Sequence, residues 1–249
     1  MTIREALLKA HGRPRISGTG SALAYRGEGY EFAELRAYAA GDDVRRIDWA
    51  ATARSGDLQV RVMLEEVALT LAVIHDTSPS MNVGRTRLLA CAAEEAHAAW
   101  FRAARPQDRC IRIDPVRPQR FCLAASLVRA RRMLPRGAAL LVVSDWHDLP
   151  TIECRDLIAC GARFDCTALV ARDPWHDDFP LAGLVRFRGA EGGTARVFVG
   201  TRERKNYYDA VRARESAVFA RLSSAGWRTG LLHEADGMAS LRATFGARA

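Results

Sequence analysis

From Val67 onward the chain alternates short apolar runs with stretches whose apolar residues recur at helical spacing. The run Val67 to Ile74 ends in His75-Asp76-Thr77-Ser78-Pro79-Ser80 and precedes a helical pattern over Thr86 to Ala104. The unit recurs as strand Arg109 to Ile113, helix Ala124 to Met133, strand Ala138 to Ser144, helix Thr151 to Ala159 and strand Phe164 to Val170. Short apolar strands alternating with amphipathic helices predict an α/β fold, a doubly wound, mostly parallel sheet with helices on both faces.

Beyond Pro174 the pattern turns polar, with short runs Leu184 to Arg188 and Ala195 to Val199 flanking Gly189 to Gly193, the spacing of a hairpin. A long helix over Arg202 to Ala225 is stopped by Gly226. A last strand, Arg228 to Leu232, and a terminal helix from Gly237 complete the sheet. Upstream, residues 21–66 are dense in Gly, Asp, Arg and single aromatics and end in the strand-like Leu58 to Leu64, which predicts a small β-rich lobe. Residues 1–20 open with an amphipathic stretch, Ile3 to His11, and run into breakers and charge. They are read as a flexible or draped arm, leaving 67–249 as the α/β domain with a hairpin insertion near 177–201.

Composition narrows the function. With 249 residues, 49% hydrophobic and 27% charged, the chain can bury a core and lies far from disorder. Its net charge of +8 comes almost wholly from arginine, Lys9 and Lys205 being the only lysines. Such a surface attracts nucleic acid, acidic proteins or anionic lipid. The arginines are nevertheless spread along the chain, interleaved with acids and without a stacking motif, so no specific nucleic-acid site is expected. Six cysteines without a C-x-x-C pair read as buried thiols in a reducing compartment. No apolar run has the length of a membrane span and no signal peptide opens the chain, so a cytoplasmic location is expected, with peripheral membrane contact left open.

The sharpest chemistry is Asp76-Thr77-Ser78-Pro79-Ser80, a D-x-S-x-S directly after a buried strand. Ligands of doubly wound sheets sit beyond the carboxyl ends of the strands. A carboxylate and two hydroxyls on one loop are hard oxygen donors suited to Mg²⁺ or Mn²⁺. Asp145, after the strand Ala138 to Val143, supplies a second carboxylate, so the candidate metal ligands are Asp76, Ser78, Ser80 and Asp145. The competing reading makes Asp76 and Ser78 helix caps, and Asp145 and Asp148 loop caps.

The D-x-S-x-S loop with the later Ser-Asp strand end resembles the metal-ion-dependent adhesion site of von Willebrand A domains. More specifically, Glu31-Phe32-Ala33-Glu34-Leu35-Arg36, Tyr38, Gly41-Asp42-Asp43, Arg45-Arg46-Ile47-Asp48-Trp49 and Thr52-Ala53-Arg54 resemble the signature of the DUF58 family. The match continues through Glu65-Glu66 to Asp76 and returns around Leu181 to Gly183, Tyr208 and Arg248. The resemblance implies a von Willebrand A-like fold with a small β-rich lobe and a non-enzymatic role as adaptor or assembly factor beside MoxR-type AAA+ ATPases. A bound Mg²⁺ would then keep an open position for a partner's Asp or Glu, with Trp146 and Met81 either contacting the partner or lying in the core. One departure stands out: the adhesion site normally adds a threonine, yet none occurs between Thr86 and Thr151, where Ser126 is the hydroxyl candidate. The signature residues Asp42, Asp43, Arg45, Arg46, Asp48 and Trp49 are read either as a structural arginine–carboxylate network with Trp49 buried, or as a partner surface.

Two rivals are weighed. A phosphatase using Asp76 as nucleophile would want a second aspartate where Ser78 stands, and no lysine follows in the central sheet. No G-x-S-x-G elbow or phosphate loop is present either, so no catalysis is expected. A basic nucleic-acid or membrane-surface module is the other rival, recognisable by steep salt sensitivity independent of Mg²⁺.

Overall fold

The computed structural model describes residues 3, 4, 6, 7, 31–64, 68–115, 121–173, 175, 179–190 and 192–246. Glu65, Glu66, Pro174, Arg248 and most of the stretch read as an arm fall outside them. The chain divides into two compact units, residues 12–68 and residues 1–11 with 69–249.

In the smaller unit, β1 (Glu31–Ala37) pairs antiparallel with β2 (Gln59–Leu64), with a register shift between Phe32 and Glu34. Helix α1 (Trp49–Ser55) lies between them. It starts where the Asp48 carboxylate accepts from Ala51 N and ends at Gly56, whose φ of +82° is the left-handed turn that glycine tolerates best.

The larger unit is a five-stranded, wholly parallel sheet: β3 (Thr70–His75), β4 (Arg109–Ile113), β5 (Ala139–Ser144), β6 (Asp165–Ala171) and β9 (Arg228–Leu232), in the order β4-β3-β5-β6-β9. Every residue of β5 is buried, as a central strand covered on both faces requires. The helices are α2 (Leu89–Arg102), α3 (Leu123–Met133), α4 (Cys154–Arg163), α5 (Thr201–Ser224) and α6 (Gly237–Thr244). Alternate strand residues serve opposite faces. Ala72, Ile74, Leu140, Val142, Ala168 and Val170 join Leu127, Leu157 and Leu222 of α3, α4 and α5 in one core cluster. Leu71, Val73, Leu141, Val143 and Leu169 are equally buried but outside it, while α2 and α6 pack together and against the sheet. A separate antiparallel hairpin joins β7 (Gly183–Arg188) to β8 (Thr194–Val199).

The expected mixed α/β architecture with a parallel sheet and flanking helices is therefore present. Two helices start three residues later than expected, each for a local reason. Helix α2 begins at Leu89 and not at Thr86, because the Glu234 carboxylate accepts from Arg85 N at 2.6 Å and from the Thr86 hydroxyl at 2.9 Å. Near Thr151 a 3-10 turn, Leu149–Thr151, precedes α4, which starts at Cys154. The reading of six buried thiols is corrected: Cys160 and Cys166 are buried, whereas Cys91, Cys110, Cys122 and Cys154 are exposed on their elements. Apolar neighbours in sequence do not say which face of an element a thiol takes. Of the arm expected at residues 1–20, Ile3, Ala6 and Leu7 are buried and Arg4 forms an ion pair with Asp108.

Gly161 shows how closely α4 and the end of α5 approach: a Cβ there would lie 2.0 Å from the Ala225 carbonyl oxygen. Alanine normally favours a helix over glycine by about 1 kcal/mol. Here Gly161→Ala is expected to destabilise by roughly 1–3 kcal/mol, as overpacking does. Chemical denaturation checks the sign, and a stabilised variant would refute the contact.

Candidate functional site

In the sheet order, the chain moves from β3 to β4 on one side and then to β5 on the other, so the direction reverses between β3 and β5. In open parallel sheets this switch point opens a crevice beyond the strand carboxyl ends. Asp76 follows β3 and Asp145 follows β5, so the two carboxylates expected to share a site do leave adjacent strands at the switch point.

Asp76 is 4% exposed. Its Oδ1 accepts from Ser78 N at 2.8 Å, a turn closed by the carboxylate. The capping reading is corrected on this point: the 3-10 turn Pro79–Asn82 has no side-chain cap from Ser78, and α2 starts only at Leu89. The Ser78 and Ser80 hydroxyls lie 2.9 Å apart, each retaining lone pairs for a further interaction. Asp145 closes its own turn by accepting from His147 N at 2.9 Å, which makes it a loop cap; Asp148 makes no side-chain cap.

Ser144 was not among the expected site residues. It is 2% exposed, hydrogen-bonds the Asp76 carboxylate through its side chain and accepts from Trp146 N at 3.1 Å. It therefore ties the two strand ends together. The available signal was a hydroxyl at the end of an otherwise apolar buried strand, which must find a partner. Trp146 is fully buried, with φ of +55°, the only non-glycine residue in the left-handed region among those described. Strain of this kind concentrates at functional turns. Trp146 and Met81, at 0% and 1% exposure, belong to the core, so the reading that they contact a partner directly is corrected.

Burial raises the Asp76 pKa above its ordinary 3.8, opposed by hydrogen bonds from Ser144 and Ser78, while the charge of Asp145 raises it further. Among the described residues no arginine or lysine pairs with Asp76. A buried carboxylate without a paired arginine or lysine, the two hydroxyls of its loop and the neighbouring charge of Asp145 are hard oxygen donors of the kind a small divalent ion takes. The missing threonine has no substitute in Ser126: that hydroxyl is buried in α3 and donates to the Cys122 carbonyl at 3.0 Å.

Beside the loops lies a cavity of about 510 Å³, lined by Ser80 and Asp145 on one side. Trp175, Phe179, Phe187 and Tyr207 make an aromatic wall, and Arg172, Arg186, Arg188 and Arg214 add positive charge. Phe179 and Phe187 stack at 5.7 Å, and Phe179 and Tyr207 lie 5.2 Å apart. Burial pushes the Tyr207 phenol up to about 12, so it stays protonated across the physiological range. Arg214 donates to the Asp145 carbonyl at 3.2 Å, supporting the loop from α5.

The signature residues of the smaller unit form a compact network. Asp42 accepts from Arg36 at 2.6 Å and from Ala39 N at 2.9 Å, Asp43 from Arg45 N at 3.0 Å, and Asp48 from Arg61 at 2.8 Å as well as from α1. Arg46 forms the end of a 3-10 turn, Val44–Arg46. Backbone amide and arginine donors hold the Asp48 carboxyl below its usual range. The expectation that Trp49 is buried is corrected: it is 68% exposed, and Ala51 is the residue that α1 buries.

The family described as "Protein of unknown function DUF58" matches residues 34–113. An uncharacterized protein of Mycobacterium bovis and uncharacterized proteins of two Mycobacterium tuberculosis strains are each 31% identical to the chain over 204 residues. Those alignments cover 69% of this chain and 64% of each relative, so the chain spans under two thirds of their length. No solved structure matches. No helix among the described residues is long and apolar enough to cross a membrane.

Proposed function

We propose that the larger unit is a von Willebrand A-like, non-enzymatic protein-binding domain that takes an acidic side chain of its partner through Mg²⁺ or Mn²⁺ at Asp76, Ser78, Ser80 and Asp145. The observation carrying this reading is the pairing of Asp76 with Asp145 at the strand-order reversal, oxygen donors on both, with no protein cation on Asp76. The ion would supply an electrophilic anchor for a carboxylate. The chain's own residues hold the geometry: Ser144 hydrogen-bonds the Asp76 carboxylate, and Asp145 closes its own turn through His147 N. The adjoining aromatic and arginine-rich cavity suits the apolar and acidic neighbours of that anchor residue. A MoxR-type AAA+ ATPase is the proposed partner, as the resemblance to the DUF58 signature implies, and the cytoplasm is the proposed compartment.

The test is capture of the purified MoxR-type ATPase from the same genome by the full chain, with Mg²⁺ or with EDTA. Wild type is expected to lose about tenfold or more of its affinity in EDTA, since one anchoring charge pair carries at least 1.4 kcal/mol. Asp76→Ala and Asp145→Ala, checked for folding by circular dichroism, should behave in Mg²⁺ as wild type does in EDTA. Capture indifferent to EDTA and to both substitutions sinks the metal-bridged reading.

The exposed Trp49 favours a second reading, in which the smaller unit presents the partner surface. Trp49 and Val44, 68% and 61% exposed, flank the charged turn of Arg45 and Arg46. An exposed tryptophan beside arginines has the composition of an interface hot spot. Trp49→Ala should shift stability by no more than about 0.5 kcal/mol, as exposed substitutions do. If this face is the interface, the same variant weakens capture with or without Mg²⁺.

A further inference from the structure

We propose that His75, Glu94 and His97 bind a divalent transition-metal ion of the zinc class through two imidazole nitrogens and one carboxylate oxygen, leaving a fourth position for an exchangeable ligand. His75 ends β3, while Glu94 and His97 stand three residues apart on one face of α2. One ligand atom from each of the three lies within 4.8 Å of the others. Nδ1 of His75 is 3.3 Å from one Glu94 oxygen and Nδ1 of His97 is 3.9 Å from the other. The two rings meet edge to face with centroids 5.6 Å apart.

Tetrahedral zinc with bonds near 2.1 Å sets its ligand atoms about 3.4 Å apart. The cluster must therefore close by roughly an ångström, which the half-exposed Glu94 side chain can supply by rotation. A second observation points the same way. His97 is 2% exposed, yet neither of its ring nitrogens has a hydrogen-bond partner, and Nδ1 of His75 also lacks one. Buried imidazoles normally satisfy at least one nitrogen, and a metal ion between them and Glu94 would do so. Arg112 holds Glu94 through bonds of 2.7 and 3.3 Å, and its Nε is already 3.4 Å from Asp114, which can retain it when Glu94 turns to the ion.

The donor set also separates this site from its neighbour. Two imidazoles and one carboxylate select zinc-like ions, whereas the carboxylates and hydroxyls around Asp76 select Mg²⁺ or Mn²⁺. Because His75 immediately precedes Asp76, an ion here would fasten α2 to the strand end that carries Asp76.

The test uses the reduced, chelator-stripped full chain, titrated with Zn²⁺ by calorimetry and with Co²⁺ by visible absorption. One equivalent should bind, with cobalt ligand-field bands and no thiolate charge-transfer band, a necessary control given the four exposed cysteines. His75→Asn and Glu94→Gln, at positions that are not fully buried, should weaken binding by more than the roughly 10–100-fold that a lost supporting contact costs. Asp76→Asn should leave it unchanged. Absence of uptake by folded wild type, a thiolate band, uptake unaffected by both ligand substitutions, or loss in Asp76→Asn alone would each overturn the proposal.

Discussion

Trp146→Ala is expected to lower the unfolding free energy by about 3–5 kcal/mol, the range for deleting a fully buried tryptophan. The indole is 0% exposed and meets Trp227 edge to face at 5.6 Å. Its Nε1 donates to the Leu169 carbonyl at 3.4 Å, while Trp227 donates to the Leu157 carbonyl at 3.0 Å. The pair therefore links the end of β5 to β6, α4 and the start of β9. Alanine leaves a cavity among these elements and keeps the left-handed backbone, whose cost of roughly 1–2 kcal/mol nothing then offsets. Since domains of this size are stable by only about 5–15 kcal/mol, the variant should unfold at much lower urea. A loss below about 1 kcal/mol would mean that the strand end does not depend on this contact.

The second large effect is acid sensitivity. Burial is the main cause that pushes His97 from its ordinary 6.5 down to about 4. The unfolded chain therefore binds a proton in this interval that the folded chain refuses. Stability from this residue is fully present above pH 6.5 and is lost as pH falls towards 4, at about 1.4 kcal/mol per pH unit. Roughly 3 kcal/mol should be gone at the lower end, measured by urea unfolding with a chelator present. His75, lowered mainly by burial, adds to the loss. Asp76 opposes it, because a raised carboxyl pKa stabilises at low pH and that contribution fades as pH rises through it. His97→Leu should flatten the slope; an unchanged slope would assign the acid sensitivity elsewhere.

These two residues also mark where the sequence was legible. Strands Arg109–Ile113 and Arg228–Leu232 have the boundaries expected from their apolar runs, and Asp145 was placed at a strand end because the run before it is unbroken. Periodicity reports which residues face a core, and a parallel sheet makes that signal strong. It does not report partners distant in sequence. His75 and His97 are far apart in the sequence and meet only once α2 folds back on β3. Nothing near Ser144 in the sequence shows its role, because its partner, Asp76, follows a different strand. Trp146 was ambiguous for a different reason: its inward direction depends on one left-handed φ that L-residues rarely adopt. Trp49 failed in the opposite sense, since a tryptophan inside a charged motif has no periodic context to say which way α1 turns it.

The strand order has a consequence for how the polypeptide assembles during synthesis. Four of the five parallel strands, β3 to β6, are complete by Ala171, and each pairs within that set. The fifth, β9, arrives only after the hairpin and the long helix α5, and it pairs with β6 alone. Until Leu232 has emerged from the ribosome, the edge of β6 presents unpaired amides and carbonyls, the feature that templates association between chains. A four-stranded stage would thus expose the β6 edge where the finished sheet exposes that of β9, with β4 as the other border in both.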